Sequence, residues 1–196
     1  MNKSLTKILP WMPEKNHWSE QVGINKRIQI KGTSNQLFIS SGGIIKNLQI
    51  IIHGHNNKLV IGKNSLVSGF IEMFGNDNEI TIGQNTGMLG VGLTAHEGKY
   101  IKIGDKCLIA RGTDIRTTDS HPIWDQEGKR INPDANIEIG DRVWIAPDTK
   151  ILKGTIIGND VVIGTRSLLN KSTIPSNTLA AGSPAKIVRE NITWSP

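Results

Sequence analysis

An all-β chain wound as a parallel β-helix is predicted by three features of the sequence. Aliphatic residues recur every six positions at Ile139, Ile145, Ile151, Ile157, Ile163 and Leu169. Small or β-branched residues keep the same time: Gly140, Ala146, Gly158, Gly164 and Gly182 follow a beat, and Val143, Thr149, Thr155, Val161, Ser167 and Thr173 come four residues after one. The composition agrees, with 21 Gly but only 5% aromatic residues, five of them Trp. A column of stacked methyl groups needs few rings and many tight corners. A period of six fits neither a 3.6-residue helix nor simple alternation along one strand. It fits a hexad that makes one short strand and a turn, three hexads to a triangular coil.

The beat extends downstream through Pro175, Ala181 and Ile187, and upstream through Ile103, Ile109 and Ile115. Cys107 and Thr113 fall in the slot of the small interior residues, so Cys107 reads as packing and not as a nucleophile. Further upstream, LVIG (59–62), ITIG (80–83) and IKIG (101–104) are spaced by 21 residues, and IEIG (137–140) matches them. The expected organisation is an N-terminal cap or extension over 1–24, a β-helix over 25–190 and a C-terminal tail over 191–196. A stacked coil leaves bare strand edges at its ends, and the segment holding Trp11 and Trp18 is assigned to cover one of them.

Totals narrow the setting. One Cys leaves no internal disulfide and points to a reducing compartment. Lys3 and Lys7 are not followed by the apolar run of a signal peptide, and no stretch nears the roughly 18 apolar residues of a membrane span. The expectation is a cytoplasmic protein without a membrane span. The net charge of +6 is compatible with an acidic partner, but no dense basic run argues for nucleic acid.

Over 117–136 the beat stops. In phase, His121, Glu127 and Pro133 occupy the next aliphatic positions, and none of them can line an apolar column. About one coil of chain has left the prism as a loop, and Ile139 resumes the phase. A long loop in so economical a repeat is more often functional than accidental. It gathers Asp119, His121, Trp124, Asp125, Glu127 and Arg130. A neutral imidazole near pH 7 is a natural base for a hydroxyl proton, which fits acyl transfer from a thioester to an acceptor hydroxyl. An ordinary loop histidine is the alternative.

The hexads and the loop resemble the left-handed β-helix of the hexapeptide-repeat acyltransferases, and this resemblance supplies the hand. SHPI (120–123), GKRI (128–131) and IGDRVWIAPDTKILKGTIIGNDVVIG (139–164) are similar to sugar O-acetyltransferases of the galactoside and maltose type. EQVGIN (20–25), IRTTDSHPI (115–123), KILKG (150–154) and AGSPAKIVRENITW (181–194) also resemble bacterial capsule O-acetyltransferases acting on sialic-acid-containing polysaccharide. The likeness spans nearly the whole chain and is tight after residue 100. It implies that His121 is the catalytic base and that Trp144 lies along the arm of acetyl-CoA, the expected cosubstrate. Ala146 stands where the galactoside and maltose enzymes tend to have Gly. Asn170-Lys171 replaces their Thr-Lys pair, so only Lys171 transfers. Thr165 is assigned to pantetheine, and Lys186 and Arg189 to the phosphates. Asp119, Trp124 and Arg130 are assigned supporting or acceptor-side roles. The resemblance further implies direct transfer in a ternary complex, a homotrimer with CoA between adjacent prisms, and a polysaccharide or sugar acceptor. Ser120 beside His121 gives no reason for activation as a nucleophile.

Two other readings remain at this point: N-acetyl or serine-type acetyl transfer on the same fold, and a non-catalytic or metal-binding β-helix trimer. The second needs histidines converging from several coils. His53 and His55 lie beside a turn without nearby Cys, His96 is at a loop tip, and no metal is expected.

Overall fold

In the computed structural model the structure describes residues 28–196, together with the backbone of Ile8–Pro10 and His17–Ser19. Among the described residues there is no helix, and the strands form two sheets, of nine and twelve strands, that wrap one continuous column. Apart from a ribbon at each end, neighbouring strands are parallel and stack coil upon coil. The expected β-helix is therefore the fold. Trp11 and the side chain of Trp18 lie outside the described residues. The backbone of Ile8–Pro10 pairs antiparallel with His17–Ser19, and His17 adjoins Gln36 at the edge of the nine-stranded sheet.

After residue 100 each coil has three faces. The first carries Tyr100–Ile103, Ile137–Ile139, Ile156–Ile157 and Thr173–Ile174; the second Leu108–Ile109, Trp144–Ile145, Val162–Ile163 and Leu179–Gly182; the third Asp114–Arg116, Lys150–Leu152 and Leu168–Leu169. The six-residue beat points inward, as its burial shows: Ile139, Ile145, Ile151, Ile157, Ile163 and Leu169 are all buried, as are Cys107 and the small interior residues from Val143 to Ser167. Burying such a side chain contributes roughly 1.5–3 kcal/mol relative to leaving it in water.

Earlier coils are wider. Ile39, Ile61, Ile82 and Ile103 stack at intervals of 22, 21 and 21 residues. There the second and third faces merge into the long strands Ile44–His53, Leu66–Phe74 and Gly87–His96. The last of these then pairs with Leu108–Ile109 along one half and with Asp114–Arg116 along the other. Buried Asn35, Asn57 and Asn78 stack at one corner, each accepting the backbone N–H one coil on; Asn57 and Asn78 also donate their amides to the asparagine before. Buried polar groups are tolerable when so paired.

At the opposite end the sequence beat is corrected by one residue. The corner after Leu169 is shorter than the corresponding corner after Ile151, so Ile174 and Ala180 enter the column in register with Ile157 and Ile163. Pro175 and Thr173 are exposed, and Thr178 takes the interior slot. Ile187 lies half-exposed on Ala185–Arg189, a strand that folds back antiparallel on Leu179–Gly182.

Close approach of coils requires glycine at one corner. A Cβ on Gly104 would stand 2.6 Å from the carbonyl carbon and oxygen of Gly140 in the next coil. Neither atom can retreat without disturbing the stack. Gly104→Ala is therefore expected to cost about 1–3 kcal/mol, read as a lower melting temperature by circular dichroism.

Candidate active site

The loop leaves the third face after Arg116 and rejoins the first at Ile137. Ile101, Ile109 and Ile115 pair with Ile137, Ile145 and Ile151, each 36 residues on, twice the regular coil. His121, Glu127 and Pro133 are all exposed, clear of the column. The imidazole of His121 makes no hydrogen bond among the described residues and is open to an incoming group. Its backbone is the opposite case. Ser120, at φ 69°, donates its N–H to Thr118 Oγ1 (2.9 Å), the His121 carbonyl accepts from Asn132 Nδ2 (2.9 Å), and Ile123 N donates to Asn132 Oδ1 (2.6 Å). Loop residues Trp124 and Arg130 form an antiparallel bridge around the turn Asp125–Gly128.

Asp119 does not act on the His121 ring here. Its Oδ2 accepts from Lys153 Nζ (2.5 Å) and Asn132 Nδ2 (2.9 Å). The Lys153 ammonium holds this carboxyl below its ordinary value, against the upward push of burial. The folded state therefore favours the carboxylate. The stability it contributes is present above about pH 4, the unfolded value, and is lost as pH falls through the lower folded value. Arg130 turns away from the loop crown, donating to Glu97 Oε2 (2.6 Å) and to the buried Asp134 Oδ1 (3.2 Å). Trp124 points outward, 58% exposed.

A second group of expected residues lies one edge away, between the second and third faces. Trp144 is 42% exposed and borders an apolar groove of about 480 Å³ with Leu66, Leu89, Leu108, Arg111 and Pro147. Ala146 is buried at the corner, Thr165 donates its hydroxyl to Pro147 O (2.8 Å), and Lys186 pairs with Ala181 on the same edge. Arg189 pairs with Leu179 on the second face. Lys171 belongs with the loop instead: its N–H donates to Lys153 O, and its charge reaches Asp119. His121 and Trp144 thus stand at different edges of the prism, with the third face, Asp114–Arg116 and Lys150–Leu152, between them.

Two contributions were not foreseen. Lys153 is one; its place in KILKG reads as a solvated lysine. The other is Trp194, in the tail assigned to 191–196. Its Nε1 donates to Arg142 O (2.6 Å), and its ring packs against Trp144 with centroids 6.1 Å apart and planes tilted by 42°. His53, His55 and His96 serve the wall of the helix. His53 and His96 flank Phe74 edge-on, and His55 Nδ1 meets Thr33 Oγ1 at 2.9 Å. Burial lowers the pKa of His96, opposed by Asp134, Glu97 and Glu72 and assisted by Arg116. Among the described residues no three His, Cys, Asp or Glu side chains converge as a metal site would require.

Residues 136–171 match the bacterial transferase hexapeptide (six repeats) family. The chain is 36% identical to the polysialic acid O-acetyltransferase of Neisseria meningitidis over 187 residues, covering 84% of this chain and 87% of that protein. The crystal structure of the polySia-specific acetyltransferase NeuO superposes with a TM-score of 0.83 at 35% identity, covering 86% of this chain and 78% of that one. A hexapeptide-repeat acetyltransferase of Vibrio cholerae O1 biovar eltor, complexed with acetyl-coenzyme A, superposes at 0.54 and 30% identity over 66% of this chain and 69% of that one. Coil, loop and sequence agree: the chain belongs to the hexapeptide-repeat O-acetyltransferases.

Proposed function

We propose that the protein transfers the acetyl group of acetyl-CoA to a sugar hydroxyl of a bacterial surface polysaccharide, a sialic-acid-containing capsule, with His121 as general base. The observation that carries the reading is a phase-preserving loop that presents an unencumbered imidazole on a rigidly held backbone. Its likeness to polysialic acid enzymes supplies the acceptor class, and the net charge of +6 suits an anionic polymer.

In the ternary complex His121 takes the proton of the acceptor hydroxyl as its oxygen attacks the acetyl carbonyl carbon. The tetrahedral intermediate collapses with cleavage of the C–S bond. The imidazolium returns its proton to the departing thiolate, giving CoA and regenerating neutral His121. Trp144 and the adjoining groove would flank the acyl-carrier arm, with Ala146 and Thr165 beside pantetheine and Lys186 and Arg189 toward the phosphates.

The separation of the His121 and Trp144 edges supports a homotrimer whose sites lie between adjacent prisms. Exposed Ile123, Trp124 and Ile131 on the loop offer apolar contacts to a neighbour's groove. A cytoplasmic location follows from the need for acetyl-CoA. The experiment is complementation: His121→Ala and Trp144→Ala proteins are unfolded, mixed and refolded together. Random cyclic trimers formed at equal ratio should regain about one quarter of wild-type sites. No gain over the separate mutants would place both residues in one protomer's site or in none.

A further inference from the structure

We infer that Lys153 is the positioning residue of the loop, acting through Asp119 and Asn132 on the backbone of His121. The inference rests on His121 being the base, and it adds a residue from a different coil to the machinery.

Lys153 sits at the end of the third face, one coil beyond the loop, in the space between the loop's two stems. Its side chain is 4% exposed, the rarest state for a lysine. The ammonium donates to Asp119 Oδ2 on the entering stem (2.5 Å) and to the Asn132 carbonyl on the leaving stem (2.8 Å). Asn132, itself buried, closes the circuit: its Nδ2 donates to Asp119 Oδ2 and to the His121 carbonyl, and its Oδ1 accepts Ile123 N. The residues two before and two after His121 are therefore tied to one charge. The base of the stems is fastened separately, by Ala135 N to Thr117 O (3.1 Å) and Gly154 N to Asn136 O (3.0 Å). Removing Lys153 thus leaves the stems joined and the crown bonded to itself, by Ile131 N to Ile123 O (2.9 Å), but takes away the anchor that holds Asp119 and Asn132 to the third face.

A buried ion is a poor way to obtain stability. Taking the ammonium out of water offsets much of what its pairing returns, and whole buried ion pairs exchanged for apolar side chains often leave stability unchanged or better. What Lys153 supplies that a methionine cannot is two directed donors, and both fix the chain that carries the base. Misplacement of a catalytic group by about 1 Å can lower a rate by about 100-fold.

The two members of the ion pair are unequal. Asp119 is 39% exposed on its side chain, so water can replace Lys153 when it is removed. Asp119→Asn instead strands a buried ammonium and should disturb folding more than Lys153→Met does.

The test uses the full-length protein with acetyl-CoA and polysialic acid, together with hydrogen exchange followed by mass spectrometry. In Lys153→Met, kcat should fall about 10–100-fold, KM for acetyl-CoA should stay within about twofold, and the melting temperature should change by no more than about 4 °C, since water reaches the part-exposed Asp119 carboxylate. Exchange over 119–132 should quicken about tenfold while 144–169 is unchanged. Adding Lys153→Met to His121→Ala should cost no further activity, since a positioning residue has nothing left to position.

Wild-type kcat in Lys153→Met, or unchanged protection of 119–132, would overturn the inference. So would a fall in kcat matched by a lower melting temperature and quickened exchange throughout, which marks a structural lysine. If His121→Ala retains activity, the base assignment falls and this inference with it. An inactive His121→Ala beside an unaffected Lys153→Met removes this inference alone. Should polysialic acid accept no acetyl group, the exchange result decides whether Lys153 holds the crown.

Discussion

Acetyl transfer by His121→Ala is expected to fall about 100- to 10,000-fold in kcat/KM, the range for losing a positioned general base. Folding should be nearly untouched. The ring is exposed and makes no hydrogen bond among the described residues, so the substitution belongs with surface changes of about 0.5 kcal/mol or less, a melting shift within about 2 °C. Steady-state kinetics beside a thermal melt checks both halves. A large loss of activity with an unchanged melt is the signature of a chemical role. Residual turnover above the uncatalysed rate would reflect substrate positioning that survives without the base. A loss accompanied by early melting would instead mean that the histidine supports the loop.

Ile145→Ala should give the largest stability effect, about 2–5 kcal/mol, or a melting temperature lower by about 5–15 °C. Ile145 is fully buried, stacked between Ile109 and Ile163. In a stacked column each coil is supported chiefly by its neighbours, so the cavity weakens two interfaces at once and lies directly beneath Trp144. Glu127→Ala is the control. Glu127 keeps the same six-residue phase but stands outside the prism, exposed, and its replacement should shift stability by about 0.5 kcal/mol or less. Differential scanning calorimetry of the pair distinguishes phase from location: equal effects would mean that the loop belongs to the column after all.

Much of this architecture was legible because the six-residue beat couples sequence to burial without intermediaries. Ile139 through Leu169 all point inward, and the three positions that break the rule, His121, Glu127 and Pro133, mark the loop. The slip after Leu169 was not legible. A corner shortened by one residue offers Ile174 in place of Pro175, and both patterns contain plausible residues for a further coil. The merged strands of the early coils also escaped periodic reading. Chain from Ile44 to His53 turns the corner at a bulge over Lys46 and Asn47 and pairs on either side of it as one strand, so the six-residue punctuation is absent there.

The site divides along the same line. His121 announces itself by occupying a position where an aliphatic residue is due. Trp144 is visible only through resemblance, since an outward residue on a regular strand breaks no rule. Lys153 was hidden for a physical reason: the hexad register says that a residue two after a beat should be solvated, as Asp141, Pro147, Asn159, Thr165 and Lys171 are, and only the stems of a loop that begins 36 residues earlier bury it. Asp119 illustrates the converse. Two positions from His121 in sequence, it suggests an orienting carboxylate, yet the backbone bend at Ser120 directs it to Lys153 and Asn132. Trp194, near the end of the chain, reaches Trp144 only because the last strand reverses direction.

O-acetylation of a sialylated polymer would be read directly as CoA release from acetyl-CoA. Polysialic acid, neutral capsule fragments and simple galactosides would be compared as acceptors under identical conditions. Strong turnover with polysialic acid and little with the other two is the expected result. Turnover confined to neutral fragments or galactosides would contradict the assigned acceptor, and silence with all three would contradict the transfer itself.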